Sequence, residues 1–232
     1  MIRVGLLGTG RIGRLHAETI ASHSESSLHA VSDIDSESAN ELANQYGVTV
    51  KPADDVISDP NVDAILIATS TDTHSEFIEK ASLSGKAVLC EKPVDLNLNR
   101  AKECLDKVST ANNSIMIGFN RRFDPNFAQL KESLDSGEIG KCELLTITSF
   151  DPAPPPISYV KKSGGLFRDM MIHDFDLSNF IMGELPISIS AVGHSLVDPA
   201  IGVAGDVDTA VVTMVYADGK IAVIKNSRRA AY

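Results

Sequence analysis

The chain has 232 residues, 43% of them hydrophobic and 22% charged, with a formal net charge of −10. That length can bury the core of one large domain or of two modest ones, and the negative balance leaves no basic stripe to displace counterions from a phosphate backbone, which excludes a nucleic-acid partner. No apolar run approaches the roughly 18 residues of a membrane span, and the N-terminus runs straight into a glycine turn rather than a signal peptide, so the sequence reads as a soluble cytoplasmic protein.

The first half alternates short apolar runs with amphipathic segments. Residues 2–7 read as a buried strand and 11–22 as a helix, followed by a strand over 28–32, a helix over 37–45 and a short strand over 48–50. The run 64–68 is continuously apolar and ends in Thr-Ser-Thr, and 73–84 returns as a helix closed by Gly85. A strand over 87–90, a helix over 99–109 and a strand over 115–118 complete this half. Continuous apolar strands separated by helices specify a parallel sheet covered on both faces, a doubly wound α/β domain over residues 1–118.

After Phe119 the pattern changes. Asp124-Pro125 supplies an N-cap followed by proline at the first helical position, opening a helix through Leu134 that Gly137 ends. The long, partly alternating run 142–150 reads as a one-sided antiparallel strand. Residues 151–156, rich in proline, read as a stiff loop excluded from a sheet interior. A helix over 165–182 follows, then strands over 187–195, 209–216 and 220–226, the last two joined by the turn Ala217-Asp218-Gly219. Residues 119–232 are therefore expected to form an α+β domain with a mostly antiparallel, open sheet.

Gly8-Thr9-Gly10-Arg11-Ile12-Gly13 follows a strand and opens a helix. In that context Gly8 permits the tight turn, Gly10 lets the backbone approach a pyrophosphate, and Gly13 allows close helix–strand packing, with unpaired N–H groups of the helix facing the phosphates. Asp33, at the end of the second strand, can accept hydrogen bonds from the adenosine ribose hydroxyls and repels a 2′-phosphate. With Ile34 and Asp35 next to it, NAD is expected over NADP. Thr69, Ser70 and His74 lie at the end of the fourth strand, where they could line the cofactor cleft, and Glu91-Lys92-Pro93 follows the strand 87–90 at the same edge. Lys92 reads either as a solvated loop lysine or as a group that polarises a hydroxyl.

Asp169 and His173 have i, i+4 spacing and would share one helical face. Imidazole suits removal of an alcohol proton near neutral pH, with a carboxylate to orient it. The same helix, with Asp174 and Asp176, could instead present a solvated acidic face or contribute to a metal site, although no second histidine or cysteine stands at ligand spacing and no metal is expected. Cys90, Cys104 and Cys142 form no CxxC pair and read as small apolar fillers in a reducing setting.

Five segments, GTGRIG from Gly8, ATSTDTH from Ala68, CEKP from Cys90, GFNRRFDP from Gly118 and GGLFRDMMIHDFD from Gly164, occur in the order found in the Gfo/Idh/MocA oxidoreductases. Over its whole length the chain resembles the inositol 2-dehydrogenase branch of that family. The resemblance implies an NAD-binding Rossmann domain, with Glu91 among its coenzyme-binding residues. It also implies a second domain whose open sheet lines the substrate site and makes contacts in a homo-oligomer, a tetramer at full length. It implies that Lys92, Asp169 and His173 are catalytic, that Asn120 and Arg121 contact substrate, and that the Lys92–Pro93 bond is cis. The implied reaction is NAD-dependent oxidation of myo-inositol to scyllo-inosose. The alternatives are another inositol isomer, an aldose or sugar derivative, or a non-catalytic sensor of dinucleotide and sugar. The family usually continues well beyond Tyr232, so the chain is expected to be C-terminally truncated, with a sheet left short.

Overall fold

Leu6 shows why the first half folds as it does. It lies in β1 (Ile2–Leu7), paired with Val31 of β2 (Ser26–Ser32) on one side and Leu66 of β4 (Ala64–Ile67) on the other, and it is fully buried. A side chain so placed contributes about 1.5–3 kcal/mol through burial alone. The computed structural model describes residues 1–230 and divides into two units, Met1–Gly118 and Phe119–Tyr232.

In the first unit, α1 (Arg11–Ser22) links β1 to β2, and α2 (Ser36–Tyr46) links β2 to the short β3 (Thr49–Val50). Next come α3 (Ala53–Ser58), β4, a 3₁₀ turn at Thr71–Thr73, α4 (His74–Leu83), β5 (Ala87–Cys90), α5 (Leu98–Val108) and β6 (Ile115–Ile117). The six strands are all parallel, in the order β3-β2-β1-β4-β5-β6. Both faces are covered. Val4, Leu6, Val31 and Leu66 pack with Ala17, Ile20, Leu42 and Ala43 of α1 and α2. Leu7, Ile65, Ile67, Val88 and Cys90 pack with Ile78, Ala81, Cys104 and Val108 of α4 and α5. Strand order reverses direction between β1 and β4, and in such sheets ligands bind outside the carboxyl ends of the strands at that point.

Local chemistry sets the helix ends. Asp35 caps α2 by accepting from the N–H groups of Glu37 and Ser38 at 3.1 and 3.2 Å, and Gly47 ends it at φ 67°. Asn97 caps α5 in the same way. The short α3 was not expected, because six residues carry too little periodicity to stand out from a loop.

The second unit opens with a 3₁₀ turn at Asn120–Phe123 and α6 (Pro125–Asp135), capped by Asp124 as the sequence implies. It continues with β7 (Leu144–Phe150), α7 (Ile157–Ser163), a π-helical turn at Leu166–Met170, α8 (Ile172–Met182), β8 (Ser188–His194), α9 (Pro199–Val203), β9 (Thr209–Val215) and β10 (Ile221–Ser227). The sheet runs β7-β10-β9-β8, mostly antiparallel. Its covered face buries Ile147, Ala210, Val212, Met214, Ala222 and Ile224 against Leu166, Met170, Leu177 and Ile181. On the other face Leu144, Val192 and Val211 are exposed.

Two expectations are corrected by the structure. β7 does not pair antiparallel: its partner is β10, and the two run parallel, with Ile147 opposite Ile224. The helices and hairpin between them bring β10 back in the direction of β7, which the pattern within β7 cannot report. The helix expected over 165–182 is two elements, since the π-turn carrying Asp169 gives way to α8 at Met171. The proline-rich segment stays a loop through Pro156 as expected, and α7 follows it from Ile157. No helix among the described residues is long and apolar enough to cross a membrane.

Candidate coenzyme and catalytic residues

The glycine turn joins the carboxyl end of β1 to the first turn of α1. Gly8 has φ +95°, and a Cβ there would lie 2.7 Å from the Thr69 nitrogen and closer still to the Ala68 carbonyl. A Cβ on Gly13 would collide with the Gly8 carbonyl group, so α1 can sit this close to the turn only with glycine there. A Cβ on Gly10 would meet no protein atom within 4 Å. Gly10 therefore borders open space at the N-terminus of a helix, the arrangement a pyrophosphate needs. Arg11 is exposed and Ile12 half-buried in the first turn of that helix.

Asp33 stands beside this turn. Its Oδ2 accepts from the backbone N–H of Thr9 at 2.6 Å and from the Thr9 hydroxyl at 3.0 Å, while Oδ1 accepts the Asp35 N–H at 2.9 Å. Burial works against the charge, but these hydrogen bonds outweigh it and hold the Asp33 carboxyl below its ordinary pKa. Thr9 is itself fully buried. The residues present thus fit a dinucleotide, with an open backbone cradle for its phosphates and a fixed anion for its ribose.

At the ends of β4 and β5 the structure adds partners that the sequence did not reveal. Glu91 Oε1 lies 2.7 Å from Nε2 of His16 on α1. Burial raises the Glu91 pKa, but His16 and the backbone and charge of Lys92 prevail and keep it below the usual carboxylate range. His74 is buried, with Nδ1 2.7 Å from the Pro93 carbonyl and Nε2 3.1 Å from that of Thr69. It lies between the loop after β4 and the loop after β5 and touches the backbone of both. Thr69 Oγ1 meets Thr73 Oγ1 at 2.7 Å, and the Ser70 carbonyl accepts from Thr73. Lys92 follows Glu91 at the end of β5, half-buried, and its bond to Pro93 is cis. Burial pushes the Cys90 thiol far up, which disqualifies it as a nucleophile.

In the second unit Asp169 sits in the π-turn and His173 in the first turn of α8, both half-buried. Asp169 Oδ1 accepts from the Tyr159 hydroxyl at 2.8 Å, and Oδ2 accepts from Arg228 Nη2 at 3.1 Å. Arg228 is only 4% exposed and also donates to Asp151 at 3.0 Å. Burial disfavours its charge, yet the two carboxylates raise its pKa above the ordinary value. Tyr159, Asp151 and Arg228 escaped sequence reasoning because they converge from three separate segments.

The solvated acidic face allowed for α8 does not exist. Asp174 is fully buried, paired with Arg121 and accepting from Ser149 at 2.8 Å and Asn226 at 2.7 Å. Asp176 takes a two-pronged ion pair from Arg122 at 2.8 and 2.6 Å. Arg121, expected at substrate, is thus anchored within its own unit, whereas Asn120 is exposed on the 3₁₀ turn. No cluster of three His, Cys, Asp or Glu side chains among the described residues could hold a metal ion.

Comparison with known proteins agrees with this geometry. Residues 2–119 match the family model described as an oxidoreductase family with an NAD-binding Rossmann fold, and residues 127–232 match the GFO/IDH/MocA C-terminal domain. The chain is 47% identical over 231 residues to inositol 2-dehydrogenase of Rhizobium meliloti (strain 1021), covering 100% of this chain and 70% of that protein. It is 47% identical over 233 residues to myo-inositol 2-dehydrogenase of Thermotoga maritima, again covering 100% and 70%. It superposes on scyllo-inositol dehydrogenase from Lactobacillus casei, solved with bound NAD(H) and scyllo-inositol, with a TM-score of 0.91 at 31% identity, covering 100% of this chain and 71% of that one. This chain belongs to the Gfo/Idh/MocA family of NAD-binding oxidoreductases.

Proposed function

We propose that this protein oxidises myo-inositol to scyllo-inosose, with NAD as coenzyme. The observation that carries the reading is its similarity, at 47% identity over all of this chain and 70% of each relative, to two proteins named as inositol 2-dehydrogenases. In the proposed reaction the C–H and O–H bonds of one ring carbon are broken and its C=O bond is completed. NAD, when bound, supplies the hydride acceptor. His173 takes the hydroxyl proton, and Lys92 stabilises the alkoxide that develops as the proton leaves. Asp169, kept in one orientation by Tyr159 and Arg228, supports the charge that His173 gains.

For the coenzyme, the reading assigns Gly8, Thr9, Gly10, Arg11, Ile12 and Gly13 to the pyrophosphate and Asp33 to the ribose. Thr69, Ser70, His74 and Glu91 complete the set. Asn120 is assigned to a substrate hydroxyl, and Arg121 acts there only through nitrogens that Asp174 leaves over. The domain roles follow: residues 1–118 hold coenzyme, and 119–232 hold substrate and contribute to a homo-oligomer. The exposed Leu144, Val192 and Val211 on the open face of the second sheet support self-association. A cytoplasmic location belongs to the same reading.

The test is NADH formation from a panel of myo-inositol, scyllo-inositol and glucose. Fastest turnover with myo-inositol is expected. Preference for scyllo-inositol would keep the reaction and change the substrate, and no turnover of any polyol would refute the activity.

A further inference from the structure

Arg14 lies one residue past the glycine motif, in α1, and reaches across to α2. Its Nη2 donates to the Ser38 hydroxyl at 3.1 Å and to Glu41 Oε2 at 2.9 Å. Ser38 Oγ lies 2.9 Å from Thr9 Oγ1 and 3.1 Å from the Thr9 carbonyl oxygen, and Thr9 Oγ1 is 3.0 Å from Asp33 Oδ2. The chemistry of the end groups limits how these hydroxyls can point. An ionised carboxylate only accepts, so the single hydroxyl hydrogen of Thr9 points at Asp33. The Ser38 hydroxyl donates to the Thr9 carbonyl oxygen and lies against the Thr9 hydroxyl, so both of its contacts in the relay fall on Thr9. A guanidinium only donates, so Arg14 fills a lone pair of Ser38. Arg14 thus donates to Ser38, Ser38 to Thr9 and Thr9 to Asp33, so the cation fixes Ser38 and Ser38 fixes the residue that holds the anion.

We propose that Arg14 is a positioning residue for coenzyme recognition, acting on Asp33 through Ser38 and Thr9. The relay saturates Asp33 Oδ2, because the Thr9 N–H and hydroxyl together occupy both of its lone pairs. The ribose therefore meets a carboxylate that cannot rotate, and meets it through Oδ1. Glu41 accepts from the same Nη2 that donates to Ser38, which keeps that nitrogen beside the Ser38 hydroxyl. Asp33 is held below its ordinary pKa partly through the Thr9 hydroxyl, which agrees with this polarity. The proposal rests on the assignment of NAD to this turn and reaches past it to a residue outside the motif.

Calorimetric titration with NAD of the parent chain, Arg14→Met, Arg14→Lys, Asp33→Asn and the Arg14→Met/Asp33→Asn double variant tests it. Loss of a charge-assisted hydrogen bond predicts about 10-fold weaker binding for Arg14→Met, with part of the loss restored by Arg14→Lys, which keeps a cationic donor. The double variant should bind no more weakly than Asp33→Asn alone, because the relay has nothing left to orient. Equal affinity of Arg14→Met and parent would overturn the proposal. So would losses that multiply in the double variant, since a guanidinium that merely braces α1 against α2 acts independently of Asp33. A parent chain that bound no NAD would overturn the coenzyme assignment and the relay together, whereas multiplied losses in a chain that binds NAD overturn the relay alone.

Discussion

His173 and Asp169 carry different loads in the proposed oxidation, and single substitutions separate them. General-base assistance is typically worth about 10²–10⁴-fold in rate. His173→Ala should cut turnover with myo-inositol by that range and leave NAD affinity nearly unchanged, because the coenzyme grips lie in the other unit. Near-native turnover would refute the role of the imidazole. Asp169→Asn should cost less, since the imidazole remains and only the carboxylate charge that Arg228 and Tyr159 hold in place is lost. Asp33→Ala should weaken NAD binding and narrow the gap to NADP, as removal of an anion also removes its repulsion of a 2′-phosphate. A parent chain that bound NADP as tightly as NAD would contradict that assignment. Much at this scale was open to the sequence because the glycines, Asp33 and Lys92 follow strand ends whose apolar runs are unmistakable. Arg121 was not, for its partner Asp174 lies 53 residues away. Arg228 was hidden in the same way, 59 residues from Asp169. No local pattern reports which carboxylate a distant guanidinium will find.

The turn between β1 and α1 is the element on which the coenzyme assignment depends, and two glycines in it make opposite predictions. Gly13→Ala would force a methyl group onto the Gly8 carbonyl, so the helix must shift. Both the melting temperature and NAD affinity should fall. Gly10→Ala meets no protein atom, so its melting temperature should stay near the parent value while NAD affinity drops, because the methyl group occupies the space a pyrophosphate needs. Calorimetry and thermal melting on the two variants check the contrast, and a Gly10→Ala chain with parental affinity would mean that the open space is not the phosphate site. The start of α6 was legible because the Asp124 side chain and the amides it caps lie within three residues. The break at Met171 was not, since an i, i+4 spacing is as compatible with a π-turn running into an α-helix as with one regular helix. The partner of β7 depends on strand order, which belongs to the whole sheet.

At the scale of the molecule, acid should undo the first unit through a definite set of groups. Asp33, Asp59, Asp63, Glu79 and Glu91 all titrate below their ordinary values in the fold. A carboxyl whose folded pKa is depressed stabilises the fold fully above its unfolded value, about 4, and loses that contribution as pH falls through the folded value. The melting temperature should therefore hold at pH values well above 4 and drop steadily below it. A fall that began near neutral pH would point to groups other than these. The central claim is that the chain couples a bound dinucleotide to oxidation of a polyol. The most direct measurement is the rate of NADH formation by the purified chain with NAD and myo-inositol, with NADP in a parallel assay. The account predicts sustained turnover that requires both NAD and the polyol and is much slower with NADP. NAD binding without any oxidation of myo-inositol, scyllo-inositol or glucose would contradict it.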